Sequence, residues 1–343
     1  MSKNQIQFIS YCVNVGYKVS GNSKTYPSLD NDLDDMNERI AHLGEVLALI
    51  KTKPEVDKNN NTKKIFMIPE FFFRGKKGYY LINNIKLGEV STNKTYPDYL
   101  VKMLQSIFLN NGLKDWIVIC GTSVYGWHEE NATYVYNCSL VQEGNYTDPK
   151  DAYKVAHLIQ KELKSNIDFV EGKDNSFLHL ERMSSFLPTE QQEKEFDGRS
   201  IFNLLSIPVK IGLEICLDHA IGRLKNRTNL EERKDIKIQL IPSAGMTIRN
   251  ESIVVADDGY VFNCDGLNSN ILDPKTGFEK KDTHLINPDS EFHSQLLHKK
   301  SSDYLNLPPL NTLEVKFEGN LVKAQNLFNG KYGQVYIYPP QVI

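Results

Sequence analysis

"VKIGLEICLDHAIGRL" spans residues 209–224, and its reading decides the rest of the chain. Its first half alternates apolar and polar side chains with β-branched residues, the pattern of a half-buried strand. That pattern stops at Cys216, and "LDHA" opens a helical one. Asp218, His219 and Arg223 follow within eight residues of the cysteine. A thiol in an apolar strand is most often plain core packing, because cysteine is among the most buried residue types. A thiol at the C-terminal end of a strand, where a helix begins, sits instead at the usual active rim of an α/β sheet. There a helix start offers N–H donors and a positive dipole end to a thiolate or to the oxyanion of an acyl intermediate.

Strand-like runs recur outward from this point. They cover 5–15, 63–70, 115–126, 134–144, 153–160, 237–245 and 252–264, and are rich in Val, Ile, Phe and Tyr. Helical spacing appears in 32–52, where Leu33, Met36, Ile40, Leu43, Leu47 and Ile50 fall three or four residues apart. Residues 96–112 carry Pro97 near the start and "NNG" as a stop, and 219–235 reads as a third helix with a charged later half. The last part of the chain, from "LEVKFEGN" onward, reads as three short strands. Strands alternating with helices early and consecutive strands later predict a layered α/β fold with mixed sheets. Segments 16–31, 53–62 and 171–200 read as polar loops or insertions, the last long enough to form a lid or an interface element. No linker divides the chain, so residues 1–343 are expected to form one domain.

Composition narrows the function classes. With 40% apolar residues the chain can bury a sizeable core. A formal charge of −3 and a pI near 6.3 give no reason to expect nucleic acid or an anionic membrane as partner. No apolar run approaches the ~18 residues of a membrane span, and "MSKNQIQFISYCVNV" reads as a first strand rather than a secretory leader. The five cysteines are widely scattered without zinc spacing. That predicts free thiols in a reducing, cytoplasmic setting and no metal or other cofactor.

Two further positions suit chemistry with a thiol. Glu70 lies between "IFMIP" and "FFF", where partial desolvation raises a carboxylate pKa toward general-base work. In "AYKVAHLIQKELKSNIDF", Lys154, Lys161 and Lys164 are all candidates for one cation that steadies a thiolate and an oxyanion. If 153–160 is one strand, Lys161 lies at its end and continues the face of Tyr153, His157 and Ile159. Lys154 lies about 20 Å of extended chain earlier. Asp218 reads as the cap of the helix after Cys216, or as a pocket residue. A Cys216–His219 pair is a further alternative.

Taken in order, "PEFFF", a lysine after the "YN" strand, "IGLEICLDHA" and "IPSAG" resemble the nitrilase, or carbon–nitrogen hydrolase, superfamily over about residues 5–264. Gly212, Ile215, Cys216 and Asp218 match its cysteine motif. The resemblance implies an αββα sandwich of two mixed sheets flanked by helices, and a Glu70–Lys161–Cys216 triad. It implies hydrolysis of a small-molecule amide, or less often a nitrile, through a Cys thioester. A soluble acyltransferase, or a catalytically lapsed binding protein on the same scaffold, is the alternative. It also implies a homodimer or higher oligomer, with 171–200 and the helix after Cys216 near the interface. Three departures stand out. Val155 takes the place of the family's usual lysine in "YKVAHL", and His219 replaces a common arginine. A second glutamate, which would orient substrate, falls to Glu171 or Glu181. Asp218 and His219 join Glu171 as expected substrate contacts.

Overall fold

The computed structural model describes residues 4–20, 23–81, 96–129, 132–163, 165, 168, 178–180, 200–227, 230–267, 293–317 and 324–343. Two large sheets dominate these residues. In the first, strands run in the order Asn311–Lys316, Asn329–Ile337, Gln5–Asn14, Thr62–Met67, Trp116–Ile119, Ala132–Glu143, Ser123–Glu129 and Tyr80–Leu81. Ala156–Gln160 and Leu178–Leu180 add to Ala132–Glu143, and Gln341–Val342 adds to Gln5–Asn14. The second sheet orders Ile201–Asn203, Lys210–Leu213, Ile236–Ser243, Tyr260–Asp265, Ser294–Lys300 and Asp303–Leu307. Each has a parallel centre, formed by Gln5–Asn14, Thr62–Met67 and Trp116–Ile119 in one and Lys210–Leu213, Ile236–Ser243 and Tyr260–Asp265 in the other. Antiparallel strands flank both centres, so both sheets are mixed as the element pattern predicts.

Strand alternation builds two cores. Phe8, Cys12, Ile65, Met67, Ile117 and Ile119 point one way and meet Ile211, Leu213, Ile215, Ile238, Leu240 and Phe262 of the second sheet. Ile9, Tyr11, Val13, Phe66, Ile68 and Val118 point the other way, because successive strand side chains face opposite sides. There they bury the apolar stripe of helix Asp32–Lys51, including Met36, Ile40, Leu43, Leu47 and Ile50. Asn31 caps this helix by accepting from Leu33 N (2.9 Å) and Asp34 N (3.1 Å). Helix Tyr96–Asn111 packs on the same outer layer through Leu100, Leu104 and Phe108. The layers, helix on sheet on sheet with short helices beyond, are the expected αββα arrangement.

The differences from the sequence reading are local. Residues 115–126 form two strands rather than one, broken before Ser123. Residues Pro149–Val155 are a 3₁₀ helix, so the lysine strand begins only at Ala156, and Tyr153 does not share its register. The single helix expected over 219–235 is instead three short ones, Leu217–Ala220, Arg223–Arg227 and Leu230–Arg233. Gly222, at φ +67°, ends the first by a left-handed turn. The chain end contains a short helix, Ala324–Leu327, among its strands. The insertion expected at 16–31 carries a small strand pair, Lys18–Ser20 with Ser23–Thr25. Apart from Leu178–Leu180 and Ser200, the 171–200 insertion lies outside the described residues. No helix among the described residues is long and apolar enough to cross a membrane.

Candidate active site

Three strand ends converge at one rim. Thr62–Met67 is followed by Ile68, whose N–H bonds Ile119 O (3.2 Å), then by Pro69 and Glu70. Ala156–Gln160 lies antiparallel to Ala132–Glu143, which is itself antiparallel to Trp116–Ile119. It therefore runs in the same direction as the Glu70 strand, and Lys161, directly after its last residue, emerges at the same rim. Lys161 N–H donates to Asn137 O at 2.8 Å, holding it there. Cys216 follows the strand Lys210–Leu213 of the facing sheet, with its own N–H on Pro242 O at 3.1 Å.

Lys161 Nζ, fully buried, donates to Glu70 Oε1 at 2.8 Å and to Asp168 Oδ1 at 2.6 Å. Asn137 Nδ2 bridges the same two carboxylates, at 3.0 Å to Glu70 and 3.3 Å to Asp168. Asp168 Oδ2 accepts from Ser165 N–H. Glu70 Oε2 and Asn137 Oδ1 are buried without a well-formed hydrogen bond among the described residues. The Phe71 ring lies 5.4 Å from Lys161 Nζ, and Arg74 sits over the same ring at 4.4 Å and over Tyr26 at 3.4 Å.

Burial raises the Glu70 pKa and Asp168 adds to the rise, while Lys161 and the Cys216 thiol act against it. Burial also pushes the Cys216 thiol well up, as does Glu70; Lys161 and the Ala244 N–H pull it down. Burial opposes charge on Lys161, but Asp168, Glu70 and Cys216 together hold its ammonium more firmly than an ordinary lysine's. Burial therefore favours the neutral thiol at Cys216, while the neighbouring acidic groups favour the charged ammonium at Lys161.

Backbone strain marks two of these positions. Phe71, directly after Glu70, has φ +63°, and Cys216 has φ +46° with ψ −107°. For non-glycine residues such conformations cost ~1–3 kcal/mol and concentrate at functional sites. The four-residue helix after Cys216, Leu217–Ala220, is too short to supply the dipole expected of it.

The remaining expected residues are placed otherwise. Lys154 is exposed and pairs with Asp151 at 2.7 Å. Lys164, Glu171 and Glu181 lie outside the described residues. Asp218 neither caps its helix nor faces the thiol: its carboxylate accepts from Glu162 N–H (2.8 Å) and Leu163 N–H (2.9 Å), tying the loop after Lys161 to the cysteine helix. His219 is likewise not a partner of Cys216. Its Nε2 accepts from Arg249 N–H (3.1 Å), so Nδ1 is the protonated nitrogen and donates to Glu214 Oε2 at 2.8 Å. Neighbouring residues at a helix start diverge, and both side chains are committed to hydrogen bonds that brace the fold. Phe72 and Phe73 of the "FFF" run are fully buried in the outer core.

Sequence reasoning missed Asp168 and Asn137. The signal for Asp168 was its place in "SNIDF", seven residues beyond Lys161, an offset a single loop can fold back. Asn137 carried only its position in "YNCS", one residue before a cysteine on a buried strand. Among the described residues no group of His, Cys, Asp and Glu is arranged to hold a metal ion.

No family model and no curated relative matches the chain. Among solved structures it is similar to a member of branch 10 of the nitrilase superfamily from Saccharomyces cerevisiae, at 14% identity over 99% of this chain and 90% of that one, with a TM-score of 0.46. It is also similar to an amidase from Nesterenkonia sp., at 10% identity over 99% of this chain and 92% of that one, TM-score 0.45. A glutamine-dependent NAD(+) synthetase from Cytophaga hutchinsonii matches at 14% identity over 88% of this chain and 40% of its own length, TM-score 0.39. At these identities and scores, the chemistry has to be argued from the site itself.

Proposed function

We propose that the chain is a carbon–nitrogen hydrolase of the nitrilase type that cleaves a small-molecule amide through a thioester on Cys216. The observation that carries this reading is the buried cluster in which Lys161 Nζ joins Glu70 and Asp168, beside the Cys216 thiol. A neutral thiol needs a base as it attacks. Glu70 is next to it, and its raised pKa makes it a better proton acceptor. As the C–S bond forms, the thiol proton passes to Glu70 and the carbonyl oxygen becomes an oxyanion. Lys161, held charged by two carboxylates, stabilises that charge. Collapse breaks the C–N bond, and Glu70 returns its proton to the departing amine or ammonia. Water then attacks the thioester, giving its proton to Glu70, and thiolate departure with reprotonation restores the start.

Asp168 acts as a positioning residue. It shares the Lys161 ammonium with Glu70, so that the base is not the sole partner of the cation. A lapsed scaffold drew its support from the missing lysine at 155; Lys161 beside Glu70 offers a cation in its place and speaks for the hydrolase reading.

The test is incubation with a panel of short aliphatic and aromatic amides, reading ammonia release and the mass of the Cys216 peptide. An acyl adduct on Cys216, with release lost in Cys216→Ala, is the expected result. Ammonia release that survives Cys216→Ala overturns the mechanism.

A further inference from the structure

Asp265 has no part in the reaction as derived, yet it stands behind the nucleophile. It ends the strand Tyr260–Asp265, paired in register with Ser243 at the end of Ile236–Ser243. The next residues, Ala244, Gly245 and Met246, form a turn against Cys216: Pro242 O receives the Cys216 N–H at 3.1 Å, and the Ala244 N–H meets the thiol. Asp265 Oδ1 accepts from Gly245 N–H at 2.6 Å and from Leu267 N–H at 3.1 Å, with Met246 N–H also directed at the carboxyl. The turn is further tied by Gly266 N–H on Ser243 O (2.9 Å), by Ser243 Oγ on Met246 O (3.1 Å) and by Asn263 Nδ2 on Ser243 Oγ (2.9 Å). Asp265 is fully buried, and its Oδ2 has no partner among the described residues. Gly266, the next residue, packs on Pro69, which precedes Glu70. One carboxyl thus links the turn facing the thiol to the segment that carries the base.

We propose that Asp265 is a positioning residue that holds the 244–246 turn so that the Ala244 N–H stays on Cys216 Sγ. The proposal rests on the reading of Cys216 as the nucleophile. A carboxyl that gathers several N–H groups of one turn fixes its curvature, and without it the turn relaxes and its amide leaves the sulfur. Gly245, at φ +96°, is the hinge of that curvature. Burial raises the Asp265 pKa to about 8, against the pull of the N–H groups it accepts. Both N–H bonds, from Gly245 and Leu267, fall on Oδ1, and asparagine keeps one oxygen to accept them, so it should replace the aspartate.

The experiment measures the rate of Cys216 alkylation by iodoacetamide from pH 6 to 10, by peptide mass spectrometry. Wild type, Asp265→Ala, Asp265→Asn and Gly245→Ala are compared, each with a thermal melt and with kcat and KM on an amide the wild type cleaves. Asp265→Ala should slow alkylation about ten- to a hundredfold, move its midpoint to higher pH and lower kcat more than it changes KM. Asp265→Asn should stay within about threefold of wild type. Gly245→Ala, which keeps the carboxyl but strains the turn, should reproduce the slowing, and it carries the test if Asp265→Ala does not fold. Wild-type alkylation rate and midpoint in a folded Asp265→Ala, or in Gly245→Ala, overturn the proposal. If Cys216 of the wild type reacts no faster than the buried Cys138, the nucleophile reading falls and takes the proposal with it. Normal Cys216 labelling with an indifferent Asp265→Ala removes the proposal alone.

Discussion

Two buried clusters of paired charges flank the Glu70–Phe73 segment, and only one of them resembles a catalyst. Under helix Asp32–Lys51, Arg39 pairs with Asp35 at 2.6 Å. Its remaining donors go to Phe72 O (2.8 Å) and Pro27 O (2.7 Å), and Asp35 also receives the Tyr80 hydroxyl (2.6 Å) and Leu29 N–H (2.8 Å). One cation meets one anion, and each is surrounded by hydrogen bonds. At the strand rim, one cation, Lys161, meets two carboxylates, and an oxygen of Glu70 is left without a well-formed bond. The first arrangement is what a buried ion pair needs merely to be tolerated. The second, with Arg74 also within electrostatic reach of both carboxylates, leaves a carboxylate oxygen beside a thiol, the arrangement the proposed reaction needs.

The comparison breaks most sharply under substitution. Cys216→Ala or Cys216→Ser should abolish amide turnover while the far-UV spectrum and the melt stay close to wild type. Lys161→Ala, and Glu70→Gln beside it, should lower kcat/KM by several orders of magnitude, on the order of the loss of a base or an oxyanion partner. Steady-state assays on folded protein would check both, and a Lys161→Ala enzyme with near-normal turnover would remove the distinction drawn here.

Asp35→Ala should show the opposite profile. Breaking a buried pair by removing one partner costs ~3–5 kcal/mol, measurable as a lower urea midpoint, with turnover per folded molecule far less affected than in Lys161→Ala. Because Arg39 holds the Phe72 carbonyl two residues after Glu70, some loss of turnover is expected.

The structural cluster also has its own pH signature. His42 is bonded to Tyr11 Oη at 2.8 Å, and burial, aided by the nearby Arg39, lowers its pKa from about 6.5 to about 4. The folded state therefore binds fewer protons than the unfolded chain between those values. Its stabilising contribution is complete above pH ~6.5 and is lost as pH falls toward 4, by about 3 kcal/mol in all. His157, lowered to about 4 by burial, adds loss in the same window. Urea unfolding at pH 7 and pH 4.5 should show a smaller drop for His42→Gln than for wild type. Least affected of all should be Lys154→Ala, since an exposed ion pair contributes little; unchanged kinetics and melt would sharpen the contrast with Lys161.

Much of the candidate site was legible in the sequence. The strand pattern of 209–216 stops at Cys216, "IFMIP" delivers Glu70 to a strand end, and the length of the run before Lys161 favours it over Lys154. Each of these rests on local chain geometry, which sequence spacing records. Lys161 stands at the strand end although 149–155 is a 3₁₀ helix, because the alternation that places it runs only from Ala156, with Ile159 in the inter-sheet layer. By contrast, Asp168 and Asn137 carried only weak positional signals, Asp265 carried none, and Asp218 and His219 bond other neighbours than those expected.

Periodicity in the chain determined which segments become strands and helices, which faces they bury and which residues stand at their ends. Those are short-range consequences of alternating side chains and apolar spacing. Only the tertiary structure decided which strand ends share a rim, that two carboxylates rather than one hold Lys161, and that His219 turns toward Glu214 rather than the thiol. Hydrogen bonds such as Lys161 to Glu70, 91 residues apart, depend on strand order and sheet stacking. No local pattern encodes that order, because it is set by how the two sheets bury their shared faces.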